Sequence, residues 1–245
     1  MNFIEMSWSE SLTEKLSAYS KSEFEYVETY NIDEASKMGD DCSGIYMEST
    51  VVYFEIKNLN YLLKENGRRK VAQLYTMLRE LLAAIAEHTG AFLNCYSSNG
   101  FLMIYPGKEE SIRRAVNGAF KVAYALTESN KKEFSIFEGF EFAMGLDHGH
   151  IMGTKNLSDI GYEHLSWFGT CVIKAMRICK DCSRPFYVGV SGNIYHNLTE
   201  DLRMTTRRVL GIKKKVEVWT KVTYQFENVK KHLYQSNNKI PLDEQ

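Results

Sequence analysis

Apolar and polar positions along the chain follow two rhythms, and the changes of rhythm mark out its elements. Val51-Val52-Tyr53-Phe54 is continuously apolar and rich in β-branched and aromatic residues, as in a strand covered on both faces, and it closes on Glu55-Ile56-Lys57. This predicts a first strand over residues 50–57. Val71, Leu74, Tyr75, Leu78, Leu82 and Ile85 then recur every three or four positions, which predicts a helix over 68–88. It ends at Thr89-Gly90, where glycine suits the residue after a helix. From Phe92 to Tyr105 the chain reads strand, tight turn, strand, stopped by Pro106-Gly107. Ile112, Ala115, Val116, Ala119, Val122 and Leu126 form the stripe of a second helix over about 109–126, with Asn130-Lys131-Lys132 as a solvated loop. A fourth strand is expected at 141–147, followed by a hairpin-like glycine-rich stretch over 148–153.

The order β-α-β-β-α-β is the ferredoxin-like arrangement. The expected fold class is therefore α+β, a ferredoxin-like palm core with C-terminal α/β additions. Those additions are a helix over 170–182, a strand over 186–190 and a pair of strands over 205–210 and 216–223. Upstream, cap-type residues predict a short helix over 9–20, then an irregular polar lead-in over 22–50 carrying Asp33, Glu34, Asp40 and Asp41. The organisation expected is a lead-in over 1–49, one domain over 50–223 and a polar tail over 224–245, disordered after Tyr234.

Composition narrows the function classes. A net charge of −1 gives no overall field to recruit nucleic acid or anionic membrane, so Lys213-Lys214-Lys215 reads as a solvated turn and neither partner is expected. No apolar run reaches the roughly 18 residues of a membrane span. The first residues lack the basic and apolar regions of a secretory signal, so a cytoplasmic protein is expected. Five cysteines at irregular spacing form no disulfide framework. Cys179-Lys180-Asp181-Cys182 lacks a second ligand pair and reads as cysteines at a helix end.

Candidate chemistry gathers where the first strand ends. In a palm arrangement a carboxylate at that end faces one in the hairpin turn, and together they hold divalent ions against a nucleoside triphosphate. Here those positions are Glu55 and Asn99. Glu55 reads equally as a solvated strand end, and Asn99-Gly100 equally as a hairpin turn. Of Asp147, His148 and His150, alternation in an extended segment puts the two histidines on one face, where no third ligand stands at suitable spacing. An antiparallel fourth strand also carries Asp147 to the edge away from Glu55.

Five segments in order carry a resemblance. Phe54-Glu55-Ile56, Ser98-Asn99-Gly100-Phe101, the run Gly145 to Gly153, Phe168 to Arg177, and Leu210-Gly211-Ile212-Lys213 with Val216-Glu217-Val218-Trp219 are similar to motifs of the class III adenylate/guanylate cyclases. The resemblance covers residues 50–221. It implies a nucleotide cyclase that turns a ribonucleoside triphosphate into a 3′,5′-cyclic nucleotide and pyrophosphate with Mn2+ or Mg2+. Glu55, the Ile56 carbonyl and Asn99 would be metal ligands, and Arg177, supplied by the other subunit of a homodimer, would act with Asn99 in catalysis. Phe54, Lys57, Asn58, Cys95 and Ser166 would bind substrate; Cys95 and Ser166 replace the family's base-selecting lysine and aspartate. Ile173 replaces the family asparagine. The polar lead-in, Lys57 and Asp147 resemble the pyrimidine cyclases of bacterial anti-phage Pycsar systems, which implies CTP or UTP as substrate and an antiviral signal as product. The alternative is a degenerate cyclase fold, with scaffold glycines kept and ligands changed, that binds a nucleotide or a partner without turnover.

Overall fold

The computed structural model describes residues 8–31, 43–155, 165–182, 184–209, 212–226 and 229–244. In chain order these form α1 (Trp8–Lys21), β1 (Glu25–Glu28), β2 (Ser43–Ile56), α2 (Leu59–Thr89), β3 (Phe92–Ser97) and β4 (Gly100–Pro106). Next come α3 (Glu109–Tyr124), a π-helical turn (Ala125–Ser129), α4 (Lys131–Phe134), β5 (Phe142–Lys155), β6 (Leu165–Phe168) and α5 (Thr170–Asp181). The chain closes with β7 (Val188–Ser191), α6 (Gly192–His196), α7 (Glu200–Arg203), β8 (Met204–Val209), β9 (Ile212–Glu217), β10 (Thr220–Phe226) and β11 (Val229–Ser236).

The chain divides into two units, residues 1–47 with 151–168 and residues 48–150 with 169–245. In the first, β1 runs parallel to the start of β2, and β6 pairs antiparallel with the end of β5. The second holds the sheet order β10-β11-β7-β5-β2-β4-β3. Its β5-β2-β4-β3 portion is the ferredoxin-like order expected from β-α-β-β-α-β. Lys57 N donates to Glu141 O at one point of the β2–β5 seam, and His148 reaches Glu48 at another, so the two strands are antiparallel.

Alternation along the strands places cores on both faces of this sheet. Val52, Phe54, Ile56, Met144 and Leu146 pack with Leu74, Leu78, Ile112, Val116 and Phe120 of α2 and α3. Gly145, between two of those strand residues, faces α5 instead. A Cβ built there would lie 2.0 Å from Ala175 O and 2.3 Å from Cys179 N, so α5 rests directly on the strand backbone.

Several elements differ from the sequence reading. β2 begins at Ser43, inside the expected irregular lead-in, because its first half alternates in burial while its second half is buried almost throughout. α2 starts at Leu59 and passes through Gly67, which takes φ 74° and ψ 163° inside the helix. Lys131 and Lys132 begin the short helix α4 and do not lie in a loop. The glycine-rich stretch 148–153 makes no hairpin: β5 continues through it to Lys155. Lys213, Lys214 and Lys215 lie within β9 and do not form a turn. Residues 229–236 form β11 inside the sheet, and the chain after it is held by Lys121, a buried side chain on α3. Cys42, the acidic positions 33, 34, 40 and 41, and Leu210-Gly211 lie outside the described residues.

Candidate nucleotide site at the end of β2

Glu55 pairs with Gly100 across β2 and β4, and Ile56 N donates to Asn99 O at 2.8 Å. The strand end and the hairpin turn are thereby fixed to each other, as the palm arrangement requires. Tyr53 and Tyr75 brace the turn through Ser97: the Tyr53 hydroxyl lies 3.3 Å from Ser97 Oγ, and the Tyr75 hydroxyl donates to Ser97 O at 3.3 Å. Burial, and then the neighbouring Cys95, raise the Tyr75 hydroxyl above its ordinary value, so it stays a donor at neutral pH.

The Glu55 side chain is 22% exposed and engages three partners. Asn99 Nδ2 donates to Oε1 at 3.1 Å, while Asn99 Oδ1 accepts from Ser97 Oγ at 3.2 Å. Lys57 Nζ lies 3.3 Å from Oε2, and Cys179 Sγ approaches the same oxygen at 3.8 Å. Burial, with the Glu55 charge adding to it, holds the Cys179 thiol well above the ordinary range, so it is a neutral donor.

Lys57 is the hinge of the arrangement. Besides Glu55, its ammonium donates to Cys179 O and Lys180 O at 3.0 Å each, in the last turn of α5. An ammonium has three donors, and all three are used. Its charge also sits at the end of the helix that favours cations. Lys57 therefore ties β2 to α5.

These residues do not fit a divalent ion pair. Magnesium takes near-octahedral oxygen coordination, usually through one or two carboxylates with substrate phosphates. Here there is one carboxylate, an amide donor points at one of its oxygens, and a fixed ammonium neutralises the other. Among the described residues no cluster of three His, Cys, Asp or Glu could hold a metal.

The remaining expected site residues are dispersed. The Phe54 ring is fully buried, stacked on Phe142 at 5.7 Å and edge-on to Phe101 at 6.1 Å. The Asn58 side chain donates to Gly139 O at 2.5 Å and accepts from Glu141 N at 3.2 Å, tying the start of α2 to the loop before β5. Cys95 lies exposed on β3, opposite Phe101. Ser166 lies on β6 in the other unit, opposite Thr154. Arg177 is 43% exposed on α5 and pairs with Asp181 at 3.2 Å. Two residues from Cys179, it points about 200° around the helix from the side that reaches Glu55. Ile173, one turn earlier, is 60% exposed. His148 bonds Thr50 at 3.0 Å and Glu48 at 3.1 Å, and Asp147 lies 3.7 Å from Lys174, so neither joins Glu55.

Cys179 and the Lys57 anchor on α5 were not foreseen. The strand end at Glu55 and the turn at Asn99 signalled one side of the site, but no periodicity links residue 57 to residue 179.

No protein-family model matches the chain, and no curated protein matches it. Solved structures do. The guanylyl cyclase Cya2 is 14% identical with a TM-score of 0.64, over 84% of this chain and 98% of that one. A bacterial light-regulated adenylyl cyclase is 13% identical with a TM-score of 0.60, over 78% and 91%. The guanylate cyclase domain of RhGC from Catenaria anguillulae, in complex with GTP, is 16% identical with a TM-score of 0.60, over 80% and 99%. The chain thus has the α+β fold of the adenylyl and guanylyl cyclase domains.

Proposed function

We propose that this protein is a cyclase-fold module that binds a ribonucleoside triphosphate and pairs with a second subunit without cyclising the nucleotide. One observation carries the reading: the Lys57 ammonium is fixed on Glu55 where the palm arrangement needs metal ions. The expected Mn2+ or Mg2+ would have to displace it, and Asn99 supplies no second charge. Pairing is supported by α5. Arg177 cannot face Glu55 within its own chain, whereas a homodimer can bring the exposed Arg177–Ile173 face of one α5 to the hairpin of the other. Nucleotide binding rests on the fold, since one similar domain is in complex with GTP. Among the described residues no helix is long and apolar enough to cross a membrane.

A second reading keeps turnover. Glu55 retains one carboxylate and Arg177 remains exposed to meet phosphate charge, as expected for a cyclase of CTP or UTP that signals in anti-phage defence. One experiment separates the two. The purified protein, its dimer verified by sedimentation, is incubated with each of the four triphosphates and manganese, and binding is measured beside product separation. Binding without cyclic product supports the first reading. A cyclic pyrimidine nucleotide, abolished by Arg177→Ala, establishes the second.

A further inference from the structure

A chain of side-chain hydrogen bonds joins β2, β5 and the start of α3, wholly within the second unit and apart from Glu55. His148 on β5 stands between two residues of β2, with Nε2 3.1 Å from Glu48 Oε1 and Nδ1 3.0 Å from Thr50 Oγ1. Thr50 Oγ1 in turn lies 2.7 Å from Ser111 Oγ, on the first turn of α3, and Ser111 Oγ lies 2.6 Å from Lys108 O. Thr50 and Ser111 are fully buried, and the His148 side chain is 8% exposed. A carboxylate, an imidazole and a hydroxyl in line are also the acid, base and nucleophile of a hydrolytic triad. Thr50 excludes that use, because no substrate reaches a hydroxyl without exposed surface that is bonded on both sides.

Proton counting gives this chain two settings. An ionised carboxylate only accepts, so His148 Nε2 carries a proton toward Glu48 in either state of the ring. With the ring neutral, Nδ1 is bare and accepts from Thr50. Thr50 then accepts from Ser111 Oγ, whose proton points away from Lys108 O. With the ring protonated, Nδ1 donates to Thr50, Thr50 turns its proton to Ser111, and Ser111 donates to Lys108 O. Each hydroxyl has one proton and two lone pairs, so both settings satisfy every group from Glu48 to Ser111. They differ in one bond, from Ser111 Oγ to Lys108 O, which only the protonated setting makes.

That bond falls where α3 has least support. Lys108 provides no side-chain cap. The first turn relies on Glu110, which accepts from Lys108 N at 3.2 Å, and on Ser111, whose N–H reaches Lys108 O at 3.0 Å in both settings. The charged and titratable groups around His148 are Glu48 on β2, Asp147 and His150 on β5, and the exposed Lys108, Glu109 and Glu110. Asp147 alternates to the other face of β5, where Lys174 lies 3.7 Å away. Among the described residues, Glu48 is therefore the charged group bonded to the ring.

We infer that Glu48, His148, Thr50 and Ser111 form a reversible hydrogen-bond relay, by which protonation of one histidine tightens the first turn of α3. The test is nuclear magnetic resonance of the full chain across pH, following the His148 ring nitrogens and the Lys108 carbonyl carbon together. The ring is expected to hold its Nε2 proton throughout and to gain the Nδ1 proton as pH falls. The Lys108 carbonyl, which gains a donor, is expected to shift with the same midpoint as the ring. Thr50→Val keeps the side-chain shape and cuts the relay, so His148 should still titrate while the Lys108 carbonyl no longer follows it. Ser111→Ala removes the last link and should uncouple the two in the same way, which keeps the test open if the valine variant does not fold. His150→Gln should leave the coupling intact. A neutral ring with its proton on Nδ1 overturns the inference, as does a Lys108 carbonyl that ignores His148. Coupling that survives Thr50→Val or Ser111→Ala, or that disappears in His150→Gln, overturns it too, by assigning the shift to charge acting through space or to the neighbouring histidine.

Discussion

Lys57 and Glu55 stand 3.3 Å apart at the end of β2, and the same ammonium holds two carbonyls of the last turn of α5. An internal cation thus occupies the place where the fold's chemistry would put metal charge, and it fastens the strand to the helix that carries Arg177. Glu55, Lys57, Cys179 and Asn99 form one hydrogen-bonded unit whose parts come from β2, α5 and the β3–β4 turn.

Lys57→Met keeps the apolar stem and removes all three bonds. Hydrogen bonds to a charged group contribute about 1.5–3 kcal/mol. The variant is expected to lose about 2 kcal/mol, a fall in Tm of roughly 4–8 °C for a chain of this size. Calorimetry checks this. An unchanged Tm would mean that the strand and helix are held without Lys57.

Metal binding should depend on charge at three positions together. The wild type is expected to bind Mn2+ only weakly, and Glu55→Asp with Asn99→Asp to improve on it modestly, because the ammonium stays. Adding Lys57→Met to that pair leaves two carboxylates facing one gap and is expected to strengthen binding at least about tenfold, the effect of about 1.4 kcal/mol. Manganese electron paramagnetic resonance on nucleotide-free protein reads free against bound ion. Tight binding by the wild type would remove the basis of the proposed function.

Gly145→Ala places a methyl 2.0 Å from Ala175 O. Backbone on both sides leaves nothing flexible to yield, so α5 must lift off β5. Overpacking of this kind costs about 1–3 kcal/mol, and the shift would also pull Cys179 and the Lys57 anchor away from Glu55. Loss of Tm together with faster exchange of the α5 amides is the expected pair of results. A variant as stable as the wild type would contradict the close approach.

Burial raises the Asp147 carboxyl above its ordinary value of 3.8, while Ser191 and, more weakly, Lys174 act in the opposite direction. The folded state then keeps the proton to higher pH than the unfolded chain does. Asp147 favours folding most when protonated in both states, below about 3.8, and that contribution is lost as pH rises through the raised folded value. Asp147→Asn cannot ionise, so the variant should gain stability relative to the wild type as pH rises from about 4 to 7. Urea unfolding at several pH values measures the gap. A pH-independent gap would show that the carboxyl titrates alike in both states.

The sheet order was legible because residues 51–54, 92–105 and 141–147 read as short apolar strands, two of them joined by a tight turn, while 71–85 and 112–126 repeat with the three-and-four spacing of helices. The glycine-rich stretch over 148–153 read as hairpin-like, although glycines four apart also line one face of a strand, and β5 continues through it to Lys155. At the site, Glu55 and Asn99 were placed by strand and turn alone. The partners of Glu55 on the far side, Lys57 reaching α5 and Cys179 returning, depend on contacts 122–124 residues apart in sequence, beyond the reach of any local pattern.

The C-terminal segment gives the last test, since its polar composition suggested disorder while one buried ammonium holds it. Lys121 is 2% exposed on α3 and donates to Pro241 O at 3.1 Å and to Leu242 O and Glu244 O at 2.5 Å each. Three carbonyls satisfy its three donors, which is what lets a charge sit there. Lys239 adds an exposed pair with Glu128, worth little by itself. Lys121→Met fills the same space but offers the carbonyls nothing, so residues 240–244 should detach while β11, held by its strand neighbours, stays. Hydrogen exchange is expected to quicken by at least about tenfold at Ile240, whose N–H reaches Phe120 O at 3.4 Å, and at Glu244, with the β11 amides unchanged. Protection retained at Ile240 and Glu244 would show that the segment is fixed by its apolar contacts and not by the buried lysine.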